Sequence, residues 1–241
     1  MSASSPQGRF AEGAALIDGQ VLDATEAWGK HLFHRYDDLW LHVHLGLYGK
    51  FREGTLPAPK PVGALRLRLL TDENWLELRG PTACEVLTTP EHDLVLERLG
   101  PDPLRPDADP AAAYARISRS RRSVGDLLMD QSVLAGVGNV YRAEILFRHR
   151  LPPLMPGRDL DPSVWELLWA DLVVLMGAGA RSGRIVTTEA EDREQPVGRP
   201  RRTDCHYVYR RTGQPCRLCG TPIATAVMVA RNLFWCPSCQ A

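Results

Sequence analysis

An α+β fold in three parts is predicted by three features of this 241-residue sequence. Period-two alternation runs through the first hundred residues, helical stripes occupy the middle, and two Cys-x2-Cys pairs fall within the last 26 residues. The expected division is an antiparallel β-sandwich or barrel over residues 1–100, a helical domain over 101–203 and a cysteine-bearing ribbon over 204–241. In the first part, Asp18-Gly19 between Ala15-Leu16-Ile17 and Val21-Leu22 predicts a hairpin of the two-residue type. Leu39, Leu41, Val43 and Leu45 alternate with Trp40, His42 and His44, which sets one apolar strand face against a core and the histidines on the second face. The pattern repeats through Leu65, Leu67 and Leu69, and again through Leu76 and Leu78 after the turn Thr71-Asp72-Glu73-Asn74, so a further hairpin is expected.

Four prolines and three aspartates between Gly100 and Pro110 exclude a helix or a central strand there and predict a domain boundary. Val124, Leu127, Leu128, Gln131 and Leu134 then share one face of a helix expected to end at Gly136-Val137-Gly138. Asn139 is the expected N-cap of a second helix, with Val140, Ala143 and Phe147 on its inner stripe, ending before Leu151-Pro152-Pro153. A third opens with Asp161 as N-cap and Pro162 at the first helical position, and buries Trp165, Leu168, Trp169, Leu172, Leu175 and Met176. From Ala178 to Arg202, glycine, threonine, proline and charge predict a mobile loop.

The cysteines carry the clearest chemistry. Cys216-x2-Cys219 and Cys236-x2-Cys239 are separated by 16 residues, with Gly220 and Pro237 as turn residues, and can bring four thiolates into the tetrahedral set of one structural Zn²⁺. Two disulfides or a redox CxxC are the alternatives that spacing leaves. The first twenty residues carry no basic segment followed by an apolar run, and no apolar stretch approaches the ~20 residues of a membrane span, so a cytoplasmic protein with Cys84 and Cys205 as reduced thiols is expected. The hydrophobic share of 44% is that of an ordinary globular chain. Formal net charge is zero, yet residues 196–241 hold seven Arg and one Asp, and residues 116–150 hold seven Arg against three acids. Two basic segments beside an acidic body predict a face for a polyanion. The glycine hinge before Asn139 adds a candidate phosphate seat, since free N–H groups and the positive dipole end of a helix point outward there; an ordinary helical hairpin is the alternative.

The segment Leu128-Met129-Asp130-Gln131-Ser132-Val133-Leu134-Ala135-Gly136-Val137-Gly138-Asn139-Val140-Tyr141-Arg142-Ala143-Glu144 resembles the helix-two-turns-helix element of the formamidopyrimidine-DNA glycosylase and endonuclease VIII family. The tail from Tyr207-Val208-Tyr209-Arg210 through Arg231-Asn232-Leu233-Phe234-Trp235-Cys236 is similar to that family's terminal zinc finger. With Gly29-Lys30-His31-Leu32-Phe33 and His44-Leu45-Gly46-Leu47-Tyr48-Gly49, the resemblance covers nearly the whole chain in order, and the Leu47-Tyr48 pair is closer to the endonuclease VIII branch.

The resemblance implies a base-excision-repair DNA glycosylase with abasic-site lyase activity, removing oxidised bases, pyrimidines above all, and cutting by β,δ-elimination. It implies damaged double-stranded DNA as partner, one structural Zn²⁺, no small-molecule cofactor, no membrane, a monomer, and a cytoplasmic location on the nucleoid when DNA is bound. Lys30, one of three lysines against 26 arginines, matches the lysine that contacts phosphate and assists β-elimination. Arg231, on the hairpin between the cysteine knuckles, would contact the backbone and assist δ-elimination, and Asn139 would hold a phosphate beside the lesion. Gly46, Leu47 and Tyr48 would supply the wedge that fills the space of a flipped nucleotide. Arg119, Arg121 and Arg122 could face phosphates or the opposite base, and residues 184–188 match a region where damaged-base contacts vary. His42 and His44 are expected to pack or to lie near phosphate rather than to bind metal.

The sequence departs from the family at its start. It opens Met1-Ser2-Ala3-Ser4-Ser5-Pro6, without the Pro-Glu pair that serves the family as nucleophile and general acid-base, and without the helix that follows it, roughly two dozen residues with the next strand. A primary amine such as Lys30 can still form a Schiff base with an abasic aldehyde. The alternative is a non-catalytic protein that binds damaged DNA through the same surface.

Overall fold

The computed structural model describes all 241 residues, which fall into two compact units, Met1–Arg98 and Leu99–Ala241. In the first unit, β1 (Ser2–Ser4), β5 (Lys50–Thr55), β6 (Leu65–Leu70) and β7 (Asn74–Arg79) form one antiparallel sheet in the order β1-β6-β7-β5. β2 (Ala24–Trp28), β3 (His31–Tyr36), β4 (Leu39–His44) and β8 (Ala83–Thr88) form the other, in the order β2-β3-β4-β8. The alternating leucines meet in one core: Leu41, Val43, Leu67, Leu69 and Leu78 are buried with Tyr36 and Ile17. The predicted hairpin across Thr71–Asn74 is the β6–β7 pair, with Leu69 opposite Leu76 and Leu67 opposite Leu78.

Asp18-Gly19 does not turn a hairpin. It ends a helix, α1 (Ala11–Ile17), whose N-cap Phe10 and residues Ala14 and Ile17 are spaced i, i+4, i+7 and are all buried. That stripe outcompetes the short alternation, and Val21 and Leu22, the expected second arm, are exposed. Asp18 Oδ1 instead accepts from the Ala3 N–H at 2.7 Å, and Gly19, at φ 76°, donates its N–H to the Met1 carbonyl.

The second face of β4 is not solvated either. Helix α2 (Thr89–Glu97) covers it, and the His92 ring lies 4.0 Å from Trp40 and 4.7 Å from Phe33. On the other sheet, the buried Glu77 carboxylate is gripped by Arg68 and Arg79. Burial pushes its carboxyl up, but the two guanidiniums more than offset this and hold it below its ordinary value. A carboxylate depressed on folding contributes stability above its unfolded pKa, and that contribution is lost as pH falls through the folded value. The first unit is therefore expected to weaken progressively below about pH 4.3. Glu77→Gln should lower stability at neutral pH and flatten this acid limb, as read by urea melts taken across the acid range.

In the second unit, α3 (Pro110–Ile117), α5 (Asn139–Arg148) and α6 (Pro162–Ser182) pack around Ile117, Leu127, Leu134, Ile145, Leu168 and Leu172. The helix expected over 124–134 is a single turn, α4 (Val124–Leu127). Its apolar residues are buried as their spacing predicts, but the chain beyond Leu127 runs through turns organised by a side chain. Gln131 donates to the Met129 and Val137 carbonyls and accepts from the Gly136 N–H, each at 3.0 Å, and Gly136 takes φ 86°. These bonds replace the helical ladder, so periodicity alone could not distinguish turn from helix. The N-cap of α5 is Gly138 rather than Asn139, which stands first in the helix.

α6 begins as predicted, with the Asp161 carboxylate accepting from the Ser163 N–H at 2.8 Å and Pro162 in the first turn. It is 21 residues long and apolar enough, by length and composition, to cross a membrane, which corrects the expectation that no such stretch exists. Its stripe Trp165, Leu168, Leu172 and Met176 is spent on this unit's own core. Within the expected mobile loop, Thr187 and Thr188 are buried, and the Thr188 hydroxyl donates to the Asp204 carbonyl at 2.6 Å. The last two strands, β9 (Ala224–Met228) and β10 (Arg231–Trp235), pair as an antiparallel ribbon.

Candidate nucleic-acid interface and zinc site

The four knuckle cysteines converge. Their sulfurs all lie within 4.8 Å of one another, with Cys216 to Cys239 at 3.9 Å and Cys219 to Cys236 at 3.5 Å. Four thiolates about 2.3 Å from a tetrahedral Zn²⁺ stand about 3.8 Å apart, so the residues present fit one structural ion with no open position. Sulfur separations of 3.5 Å and more exclude disulfides in this arrangement. Three side chains brace the knuckles: Gln240 accepts from the Cys236 N–H and donates to the Leu151 carbonyl, tying the ribbon to the segment just after α5, and Phe234 and Ile223 bury against Phe147 and Ala143 of that helix.

This docking shapes the candidate phosphate seat. Because Gly138 takes the cap, the Asn139 side chain is free to reach β10, where its Nδ2 donates to the Asn232 carbonyl at 2.9 Å. Arg142, on the same helix face, donates to Asn139 Oδ1 and, at 3.2 Å, to the Asn232 carbonyl. The Asn139 amide is thereby fixed with its oxygen turned inward and its nitrogen turned toward the ribbon. Arg142 is fully buried, and its Nε and Nη1 have no partner. Burial pulls its guanidinium down to about 10; Asp126 opposes this, and the neighbouring positive charge of Arg231 adds to it. Two guanidiniums that repel each other at the start of a helix make a region that gains from an anion.

Arg142 is the residue that sequence reading missed. An arginine three positions after the seat residue was legible as a neighbour on one helix face, but its burial was not.

Arg231 itself follows the tight turn Val229-Ala230, where both residues have positive φ (51° and 53°) without glycine. A β-branched residue there is strained by about 1–3 kcal/mol. Val229→Asn with Ala230→Gly is expected to raise the melting temperature of the zinc-loaded protein by a few degrees, about 1 kcal/mol, in a calorimetric scan.

Of the arginine cluster, Arg122 is clamped by carboxylates, with Nε to Asp126 at 2.7 Å and Nη1 to Asp130 at 2.8 Å. Its charge is locally neutralised, and the side chain brackets the turns after α4. Arg119 and Arg121 are exposed.

In the first unit, Lys30 occupies the two-residue turn between β2 and β3, exposed beside His31. Gly46 has φ 65°, and a Cβ there would collide with Thr82 Oγ1. The turn it permits lifts Leu47 and Tyr48 off the sheet, 64% and 85% exposed, an unusual display of two large side chains side by side. His42 and His44 join no metal-type cluster.

Known proteins resemble the chain along its length. Residues 3–82 match the formamidopyrimidine-DNA glycosylase N-terminal domain, residues 99–190 the formamidopyrimidine-DNA glycosylase H2TH domain, and residues 213–241 the zinc finger found in FPG and IleRS. Endonuclease 8 1 of Mycobacterium tuberculosis is 52% identical over 246 residues, covering 100% of this chain and 91% of that protein. Formamidopyrimidine-DNA glycosylase of Geobacillus kaustophilus is 32% identical over 232 residues, covering 94% of this chain and 84% of that protein. In structure, the Lactococcus lactis Fpg in complex with abasic-site DNA superposes with TM-score 0.81 at 22% identity, over 99% of this chain and 91% of that one, a likeness of fold. On the family matches along most of its length and a 52%-identical relative, this chain belongs to the formamidopyrimidine-DNA glycosylase and endonuclease VIII family.

Proposed function

We propose that this protein is a base-excision-repair DNA glycosylase with abasic-site lyase activity, acting on oxidised pyrimidines and cutting by β,δ-elimination. The observation that carries the reading is the seat formed by Asn139, Arg142 and Arg231, a site for a backbone phosphate held by a zinc-braced ribbon. Lys30, in its exposed turn, would contact a phosphate and assist β-elimination, and its unprotonated amine can add to the C1′ aldehyde of an abasic site and lose water to give an iminium, which acidifies the C2′ proton whose removal expels the 3′ phosphate. Leu47 and Tyr48 fill the gap left by the extruded nucleotide. Pyrimidine preference rests on the likeness of that pair, and of the 52%-identical relative, to the endonuclease VIII branch. The protein works as a monomer in the cytoplasm, on the nucleoid when bound.

Borohydride trapping on an abasic oligonucleotide is the test. A covalent adduct that Lys30→Ala removes supports the assignment; binding that prefers abasic duplex with no adduct and no scission would instead establish a non-catalytic damage-binding protein, which the same phosphate seat could serve. Arg231→Ala is expected to weaken binding of every duplex alike and to reduce the slope of log K against log salt by about 1, measured by fluorescence anisotropy.

A further inference from the structure

The turns that shape the phosphate seat are built with carboxylates, which repel the anion the seat is for. Asp130 Oδ1 accepts from the Ser132 N–H at 3.0 Å and from the Ser132 hydroxyl at 2.6 Å, closing a turn on the way to Gly136. Asp126 stands on α4, which packs against the ribbon: a Cβ placed on Gly125 would lie 3.1 Å from Met228 Sδ, and Met228 is the ladder partner of Arg231. Asp126 is also near enough to Arg142 for its charge to act on that guanidinium. Arg122 holds both carboxylates, with Nε and Nη2 donating to Asp126 at 2.7 and 2.8 Å and Nη1 to Asp130 at 2.8 Å. We propose that Arg122 is a positioning residue for phosphate binding, acting through Asp126 and Asp130, whose charges it cancels beside the seat, and not by touching DNA itself. The inference rests on the reading of Asn139, Arg142 and Arg231 as that seat.

The local geometry commits the guanidinium to this task. All three of its nitrogens face carboxylate oxygens through short charge-assisted bonds, a grip that a phosphate contact would have to break. The backbone is fixed as well: the Arg122 carbonyl accepts from the Gly157 N–H at 2.8 Å, and the Arg122 N–H donates to Ser120 Oγ at 3.1 Å. Burial works to raise the Asp130 carboxyl, but hydrogen bonds from Ser132 and Arg122 more than offset it and hold the group below its ordinary value, so it is charged at neutral pH. Arg122, Arg142 and Arg231 against the two carboxylates leave one positive charge around the seat, and removing Arg122 leaves none. At 0.1 M salt a charge is felt over roughly 10 Å, so this balance acts on an incoming phosphate even where no contact is made. The Arg122 side chain is 48% exposed, so exposure alone does not separate a phosphate contact from a clamp. Restoring the charge balance without the arginine does.

The experiment measures affinity for a duplex carrying a stable abasic analogue, by fluorescence anisotropy on the zinc-loaded full chain. Arg122→Ala and Arg122→Gln should each weaken binding about tenfold at 0.1 M salt, and adding Asp126→Asn with Asp130→Asn to either should return affinity to within about threefold of the parent or above it. Asparagine keeps an oxygen to accept from Ser132, so the turn retains its acceptor. A triple variant as weak as the single one overturns the proposal, because neither a lost phosphate contact nor a lost brace is restored by removing carboxylates. Arg122 variants that bind like the parent overturn it too. Hydrogen exchange at the Gly136 amide, bonded to Gln131, reports on the turns. Weakened binding with that protection kept supports the charge role; weakened binding that tracks lost protection and persists in the triple variants overturns it. Should neither single variant fold, Asp126→Asn with Asp130→Asn beside an intact Arg122 must raise affinity at least about threefold, and unchanged affinity overturns the proposal. Arg231→Ala binding like the parent removes the seat itself, whereas a weakened Arg231→Ala beside unaffected Arg122 variants removes only the clamp.

Discussion

Removing zinc with a chelator, or replacing Cys236 by Ser, is expected to abolish DNA binding while the first unit stays folded. The tail has little core of its own: Phe234, Ile223, Tyr207 and Val208 bury partly against Phe147 and Ala143 of α5. A segment of this size does not cover the entropy of ordering its backbone from burial alone, and a four-thiolate site contributes on the order of 10–16 kcal/mol of binding free energy that is also folding free energy. The loss reaches DNA because Asn139 and Arg142 are both anchored on the Asn232 carbonyl of β10. When β10 melts, Asn139 loses its orientation, Arg231 leaves the seat, and the buried Arg142 must find water. Affinity for abasic duplex should fall at least about 100-fold by anisotropy, with the near-ultraviolet signal of Trp235 lost and restored on returning one equivalent of zinc. Retained affinity after complete zinc removal would detach the phosphate seat from the ribbon.

What was legible in the chain follows from the range of the forces involved. Strand pairing of β6 with β7, the cap of α6 and the convergence of four cysteines depend on side chains a few residues apart, or on a donor set with only one use, and all three are visible in sequence. Elements whose ambiguity is settled by distant partners were not. Residues 11–19 support both a hairpin and a helix in pattern, and the helix prevails because the sandwich offers Phe10, Ala14 and Ile17 a core. The turns after α4 keep helical spacing of their apolar residues because Gln131, not the backbone ladder, satisfies the carbonyls. At the candidate site, Asn139 and Arg231 are named by the family resemblance, whereas the burial of Arg142 and the hydrogen bonds joining His31, His42 and Glu85 require three-dimensional neighbours. The sequence leads one to expect His42 to pack or to lie near phosphate; packing accounts for its burial but not for its two hydrogen bonds.

Glu144→Ala is expected to destabilise the second unit by about 3–5 kcal/mol, among the largest effects of any single substitution outside the metal site. The Glu144 carboxylate is fully buried, and no ion pair faces it at bonding distance. Its partners are three consecutive backbone N–H groups, those of Tyr207 at 2.7 Å, Val208 at 2.8 Å and Tyr209 at 2.7 Å, together with the Thr187 hydroxyl. Successive N–H groups turned to one anion form a nest, and here the anion is supplied by α5 to hold the strand of chain that leads into the ribbon. Alanine leaves three buried donors without acceptors, each at a cost of about 1–3 kcal/mol less whatever water regains. Glutamine keeps one oxygen for Val208 and Tyr209 but turns an N–H toward Tyr207, so Glu144→Gln should cost roughly half as much. Hydrogen exchange separates local from global effects: the amides of residues 207–209 should lose protection in both variants, and zinc affinity should fall because the knuckle at Cys216 is no longer held against Phe147. Unchanged protection at Tyr207–Tyr209 in Glu144→Ala would show that the nest is held by the ribbon's own packing, and that α5 supplies the phosphate seat without also gripping the chain that reaches it.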